Sequence, residues 1–94
     1  MKAELLLDER HVLAEDAFVE LVIWCLPRPA RGSKHRYKYR LALIERGLCV
    51  LRYDNEPGKG DHRHTDSREF AYEFVSLNKL IDDFRAEVRA RREK

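Results

Sequence analysis

The chain is 94 residues long, 44% apolar and 38% charged, with a formal net charge of only +2. That length supports one domain with one modest core and leaves no room for a second domain or a large buried cleft. The near-balance of charge says little about partners, so local clusters carry the information. Cys25 and Cys49 sit in apolar runs without CxxC or Cys/His ligand spacing. A structural zinc site is therefore not expected, and two buried free thiols are expected rather than a disulfide. The apolar run Leu21 to Leu26 is far too short to span a membrane, and no secretory leader is expected. A soluble, cytoplasmic protein is expected.

Residues 4–13 open with Glu-Leu-Leu-Leu and close with Val-Leu, interrupted by Asp8, Glu9 and Arg10. The pattern predicts an edge strand with a polar middle, and Glu15-Asp16 predicts a turn. Residues 17–26 are rich in β-branched and aromatic side chains and give the clearest strand. Trp24, inside it, is expected in the core. Pro27 and Pro29 end the strand, because proline cannot donate to a ladder. Residues 28–35 form a basic loop. Over 36–45, alternation sends Arg36, Lys38 and Arg40 one way and Tyr37, Tyr39, Leu41 and Leu43 the other.

Arg46-Gly47 predicts a tight turn into a strand over 48–53. A two-residue connection there would set Arg40 opposite Tyr53 and Tyr39 opposite Asp54. Residues 54–67 are expected as a loop, bent by Pro57, Gly58 and Gly60. Phe70, Tyr72 and Phe74 alternate with other residues as a short strand. Ser76 is a good helix N-cap, and Leu77, Leu80, Ile81, Phe84 and Val88 recur at helical spacing behind it. Asp82 and Asp83 fall early in this helix, and Arg85, Arg89, Arg91, Arg92 and Lys94 fall late, in keeping with the helix dipole. The last few residues are expected to fray. The fold class is α+β: an antiparallel sheet of four to five strands with one C-terminal helix packed on one face. The uncovered face must be wet or meet a partner, such as a second copy of the chain.

The 53–64 segment concentrates reactive side chains. His62 and His64 project to the same side if the segment is extended. Two imidazoles can act as general base and general acid near neutral pH. With Asp54 and Asp61 they offer a weaker alternative, a metal-dependent hydrolase. Lys59 and Arg63 can supply positive charge to a phosphate, and Arg36, Lys38 and Arg40 form a row that can follow a phosphate backbone. A solvated loop and a solvated sheet face explain the same residues without any function. Gly58-Lys59-Gly60 lacks the spacing of a nucleotide phosphate loop, and a calcium loop starting at Asp54 would meet Thr65 where a bidentate carboxylate is required. His11 and His35 read as isolated surface histidines. Ser33 and Ser67 have no evident base, so no nucleophile triad is supported.

Four segments together, Trp24-x-Leu26-Pro27, Tyr37-Lys38-Tyr39-Arg40-Leu41, Tyr53-Asp54-Asn55 and Gly58-Lys59-Gly60-Asp61-His62-Arg63-His64, resemble the TumE family of small prokaryotic toxins. The likeness runs from the first strand to the helix after Phe74. It implies a toxin–antitoxin component neutralised by a cognate helix-turn-helix antitoxin. Asp54, Lys59, Asp61, His62, Arg63 and His64 carry over as the matched motif. The combined expectation is a toxin acting on RNA without a cofactor, with His62 and His64 sharing proton transfer and Asp54 orienting them. Lys59, Arg63, Arg36, Lys38 and Arg40 would bind phosphate. The rival expectation is a non-catalytic module that binds nucleic acid or protein.

Overall fold

The computed structural model describes residues 2–93. Six strands, β1 (Glu4–Ala14), β2 (Ala17–Cys25), β3 (Tyr37–Glu45), β4 (Leu48–Glu56), β5 (Gly60–Thr65) and β6 (Arg68–Ala71), precede one helix, α1 (Leu77–Arg92). They form a single antiparallel meander in the order β1-β2-β3-β4-β5-β6. The α+β class holds, with one strand more than the upper expectation. The extra strand comes from the supposed 54–67 loop. Those residues complete β4, turn at Pro57-Gly58-Lys59, form all of β5, and turn again at Asp66-Ser67. The short strand near Phe70 ends at Ala71 rather than at Phe74.

Alternation decides which residues meet the helix. Val19, Leu21 and Ile23 of β2, Tyr39, Leu41 and Leu43 of β3, and Leu51 and Tyr53 of β4 form one core with Leu80, Phe84 and Val88 of α1. Burying each large apolar side chain contributes roughly 1.5–3 kcal/mol. α1 begins as the sequence indicates: the Ser76 hydroxyl accepts the Lys79 N–H at 3.1 Å. Asp82 and Asp83 fall in its second turn, so no acid interacts with the positive helix end, while Arg89, Arg91 and Arg92 do occupy the last turn. Lys94 lies outside the described residues. Arg91 reaches Asp66 at 2.8 Å and Arg92 reaches Glu45 at 2.5 Å, which pins the C-terminal end of α1 to two hairpin turns. The helix runs through Arg92, with Glu93 as its C-cap.

The β3–β4 hairpin holds the main surprise. Arg46 and Gly47 both have positive φ (51° and 77°), the geometry of a two-residue hairpin turn, and Glu45 pairs with Leu48. Ile44 then pairs with Cys49, but Leu43 pairs with Leu51, so Val50 is an extra residue. This bulge shifts the register by one. Arg40 therefore opposes Asp54, and Leu41 opposes Tyr53, in place of the expected Arg40–Tyr53 and Tyr39–Asp54 pairs. Since a one-residue slip exchanges the two faces of a strand, the bulge decides where Asp54 points. Cys49, beside the bulge at the outer end of β4, is exposed rather than buried; both cysteines are free thiols.

Candidate active site on the open sheet face

The β4–β5 turn is held from outside. The Glu56 carbonyl accepts the Lys59 N–H at 3.1 Å across Pro57-Gly58, a turn with proline at its first central position and a positive φ at its second. The Gly58 N–H donates to the Arg31 carbonyl at 2.8 Å, and a Cβ at Gly58 would come within 3.0 Å of the Arg31 guanidinium. Glycine is thus favoured by its positive φ, and the basic 28–35 loop docks on the hairpin tip. Asn55, buried, fastens the other side. Its side-chain oxygen accepts the Tyr39 N–H at 3.0 Å and its amide donates to the Tyr37 carbonyl at 2.7 Å.

On the face away from α1, two rows cross the sheet: Val22–Arg40–Asp54–His62–Ala71 and Glu20–Ala42–Arg52–His64–Glu69. His62 and His64 share this face, as their spacing indicated, with ring centroids 6.3 Å apart. The His62 Nδ1–H donates to the Gly60 carbonyl at 3.1 Å, which leaves Nε2 facing Glu69 Oε1 at 3.4 Å. His64 Nε2 lies 3.5 Å from Asp54 Oδ1, and its Nδ1 lies 4.0 Å from Glu69 Oε2. Asp54 thus stands beside one imidazole and Glu69 between the two. Arg52 Nε approaches Asp54 Oδ2 at 2.9 Å, yet its N–H is buried and not aimed at that oxygen. We regard this as charge proximity without a formed hydrogen bond. At 3.4–4.0 Å the imidazoles stand near these carboxylates without being locked to them.

The cations fall partly as expected. Lys38 and Arg40 lie on the histidine face. The Lys38 ammonium donates to the Asn55 carbonyl, while Arg40 is exposed and makes no ion pair among the described residues. Lys59 is exposed at the hairpin tip, 4.0 Å from Glu69. Arg36 is exposed just ahead of β3, its carbonyl accepting the Leu26 N–H.

Asp61 and Arg63 sit elsewhere. Opposite Asn55 and Tyr53 in the β4–β5 register, they project to the helix side. Arg63 Nε donates to Glu87 of α1 at 2.9 Å, Tyr53 donates to the same carboxylate at 2.5 Å, and the guanidinium lies over Phe70. Asp61 Oδ2 accepts from the Tyr39 hydroxyl at 2.6 Å and from His35 Nε2 at 2.8 Å. His35 is not an isolated surface group. Its ring packs 4.0 Å from Phe74, centroid to centroid, and its Nδ1 accepts the Tyr37 N–H at 3.1 Å, so Nε2 carries the proton given to Asp61. Burial, then the bond to Asp61, pushes the Tyr39 phenol well above its ordinary value and keeps it a donor.

This split separates Asp61 from Asp54, His62 and His64 by the thickness of the sheet. Among the described residues no group of three or more His, Cys, Asp or Glu side chains is arranged to hold a metal ion. Arg52, Glu69 and Trp24 were missed as candidates. Arg52 was legible as the residue two before Asp54, on the same strand face, and Glu69 was hidden by reading 54–67 as a loop. Trp24, expected in the core, is 37% exposed on the open face, because it pairs with Lys38 there. A depression of about 490 Å³ lies on the other side between the β1–β2 hairpin and α1, lined by Leu13, Val19, Leu21, Phe84 and Val88 together with His11 and three arginines of α1. It holds neither His62 nor His64 and contributes nothing to this site. No described helix is long and apolar enough to cross a membrane.

No curated protein and no solved structure matches the chain. The family described as toxin TumE does: its model matches residues 2–92, nearly the whole chain, and the protein belongs to the TumE toxin family, as the toxin component of a toxin–antitoxin pair.

Proposed function

We propose that this toxin inhibits growth by cleaving RNA on the open sheet face. The observation that carries the reading is the pair His62 and His64, 6.3 Å apart, flanked by Asp54 and Glu69 and bordered by Arg40, Arg52 and Lys38. One imidazole takes the proton of a ribose 2′-hydroxyl, whose oxygen attacks the adjacent phosphorus. The bond from phosphorus to the 5′-oxygen breaks, and the other imidazole gives that oxygen a proton. The products are a 2′,3′-cyclic phosphate and a 5′-hydroxyl, with no cofactor required. Arg52, Arg40 and Lys59 stabilise the added charge on the phosphate, and Lys38 and Arg36 guide the strand. Asp54 orients His64. Arg63, tied to Glu87, acts on the fold rather than on phosphate.

The antitoxin implied by the family is read as a helix-turn-helix protein, and the setting as the cytoplasm, where RNA is available. The test is expression of the wild type and of a His62→Ala/His64→Ala variant in a host, with total RNA examined afterwards. Loss of toxicity in a folded variant is expected; a folded variant that stays fully toxic overturns the reading. A non-catalytic binding module is the second reading, favoured by the width of the uncovered face. Stoichiometry separates the two, since a catalyst inhibits far below the concentration of its target.

A further inference from the structure

Trp24 is the chain's only tryptophan, and it lies outside the core under α1. It is 37% exposed on the open face and packs on no other aromatic ring among the described residues. It forms one wall of a depression of about 310 Å³, together with Val22, Lys38, Arg40, Asp54 and Glu56. That is the small end of ligand-sized pockets, roughly 300–1,000 Å³. Its chemistry comes in three parts. Val22 and the indole give an apolar wall, Lys38 and Arg40 give cations, and Asp54 and Glu56 give acceptors. Glu56 is exposed and makes no ion pair among the described residues. Asp54 belongs both to this depression and to the histidine site. Three strand spacings and two residues along the strand separate Trp24 from His62 in the register, about 16 Å, a span that an extended single strand covers in a few nucleotides.

We infer that this depression holds one unpaired base of single-stranded RNA, stacked on Trp24, while the adjoining backbone runs over Lys38 and Arg40 toward His62 and His64. The inference rests on the RNA reading above and names its substrate class. Every base offers a π-face to an indole, and the exchange is tolerant of sequence. A carboxylate at the edge accepts base N–H groups, as Glu and Asp accept from cytosine. A base inside a duplex has both faces covered by its neighbours, so this site selects unpaired bases. The arrangement also fits this substrate better than a second copy of the chain, because two carboxylates and two cations ring the indole, and charged groups are depleted at the centres of protein interfaces.

The test uses the full chain with short labelled 2′-O-methyl RNA, which lacks the attacking hydroxyl and stays intact. Binding is followed by anisotropy of the label and, independently, by Trp24 emission. Expected are quenching of Trp24 by single strands, none by the same sequence as a duplex, and affinity roughly ten- to hundredfold weaker in Trp24→Ala, largely restored in Trp24→Phe. Single strands that bind with unchanged Trp24 emission, and equally well to Trp24→Ala, overturn the base site and leave the RNA reading standing. Absence of any binding that weakens with salt overturns both. A Trp24 emission that changes with protein concentration alone, together with a doubled mass, assigns the face to a second copy and overturns the inference. Circular dichroism of each variant reports whether it is folded.

Discussion

Asp61-His62-Arg63-His64 are consecutive, yet they divide into two regions with different physics. On the helix side, Asp61 and Arg63 are held at 2.6–2.9 Å by partners that sequence places far away: Tyr39, His35 and Glu87. On the open side, His62 and His64 keep distances of 3.4–4.0 Å to carboxylates. Short, mutually satisfied, partly buried bonds fix a structure. Looser contacts on an uncovered face leave nitrogen atoms able to exchange protons with something else. The same motif therefore serves the fold with its odd-numbered residues and the proposed chemistry with its even-numbered ones.

The largest expected effect breaks the open side alone. Replacing His62 and His64 by alanine should remove growth inhibition, since each proton transfer contributes about 10²–10⁴ in rate, while thermal unfolding shifts by only a few degrees. A comparable loss of stability would mean that the two sides are not separable. Next comes the covered side. Asp61→Ala leaves the Tyr39 hydroxyl and His35 Nε2–H without their acceptor. It should destabilise by about 2–4 kcal/mol, from two donors stranded in a partly buried site, measured by urea unfolding. Asp61→Asn, which keeps an acceptor oxygen, should lose less, and equal losses would contradict the hydrogen-bond account.

A smaller effect is expected at Arg63. Arg63→Ala removes one bond to Glu87 but leaves the Tyr53 bond to it. The loss should be about 1–2 kcal/mol, with the salt dependence of RNA binding unchanged. A clear drop in the salt slope would return Arg63 to the phosphate path.

Titration sharpens the comparison further. Tyr39, Tyr53 and Tyr72 all have phenols raised by burial first, then by bonds to Asp61, Glu87 and Asp83 respectively. Raised values mean the folded state holds these protons more tightly. The stability they add is therefore fully present below the ordinary tyrosine value near ~10 and declines as pH rises above it. Absorbance at 295 nm should fall short of the signal for four tyrosinates until the protein unfolds; full release in one step near that pH would refute the bonds. The smallest effect is acidic. Lys79 first, then Tyr72, holds the Asp83 carboxyl below its usual range. Its contribution is present above 3.8 and lost as pH falls through the lower folded value, within about 1 kcal/mol for so exposed a pair. Asp83→Asn should flatten that part of the acid unfolding curve.

Much of this arrangement was legible in the residues. β-Branched and aromatic content identified β2, period-two alternation identified β3 and both of its faces, and helical spacing with Ser76 identified α1 and its buried stripe. The His62 and His64 spacing implied a shared face whenever the segment was extended. What escaped was whatever depended on pairing. Proline and glycine at 57, 58 and 60 read as a loop, although they make a compact turn that lets two strands pair. His35 looked isolated because its partners, Asp61 and Phe74, are distant in sequence. Trp24 looked buried because hydrophobicity does not say which side of a sheet a helix will cover.

The sequence by itself determined the first four strands, the capped helix and the reactive motif, because each follows from local backbone preference and side-chain period. Only the tertiary structure decided which face carries the candidate site. The extra residue at Val50 sets Asp54 across from Arg40, the Pro57-Gly58-Lys59 turn sets it across from His62, and a single helix covers the other face. A bulge is a property of two strands and coverage is a property of the whole sheet, so neither is written in any one segment.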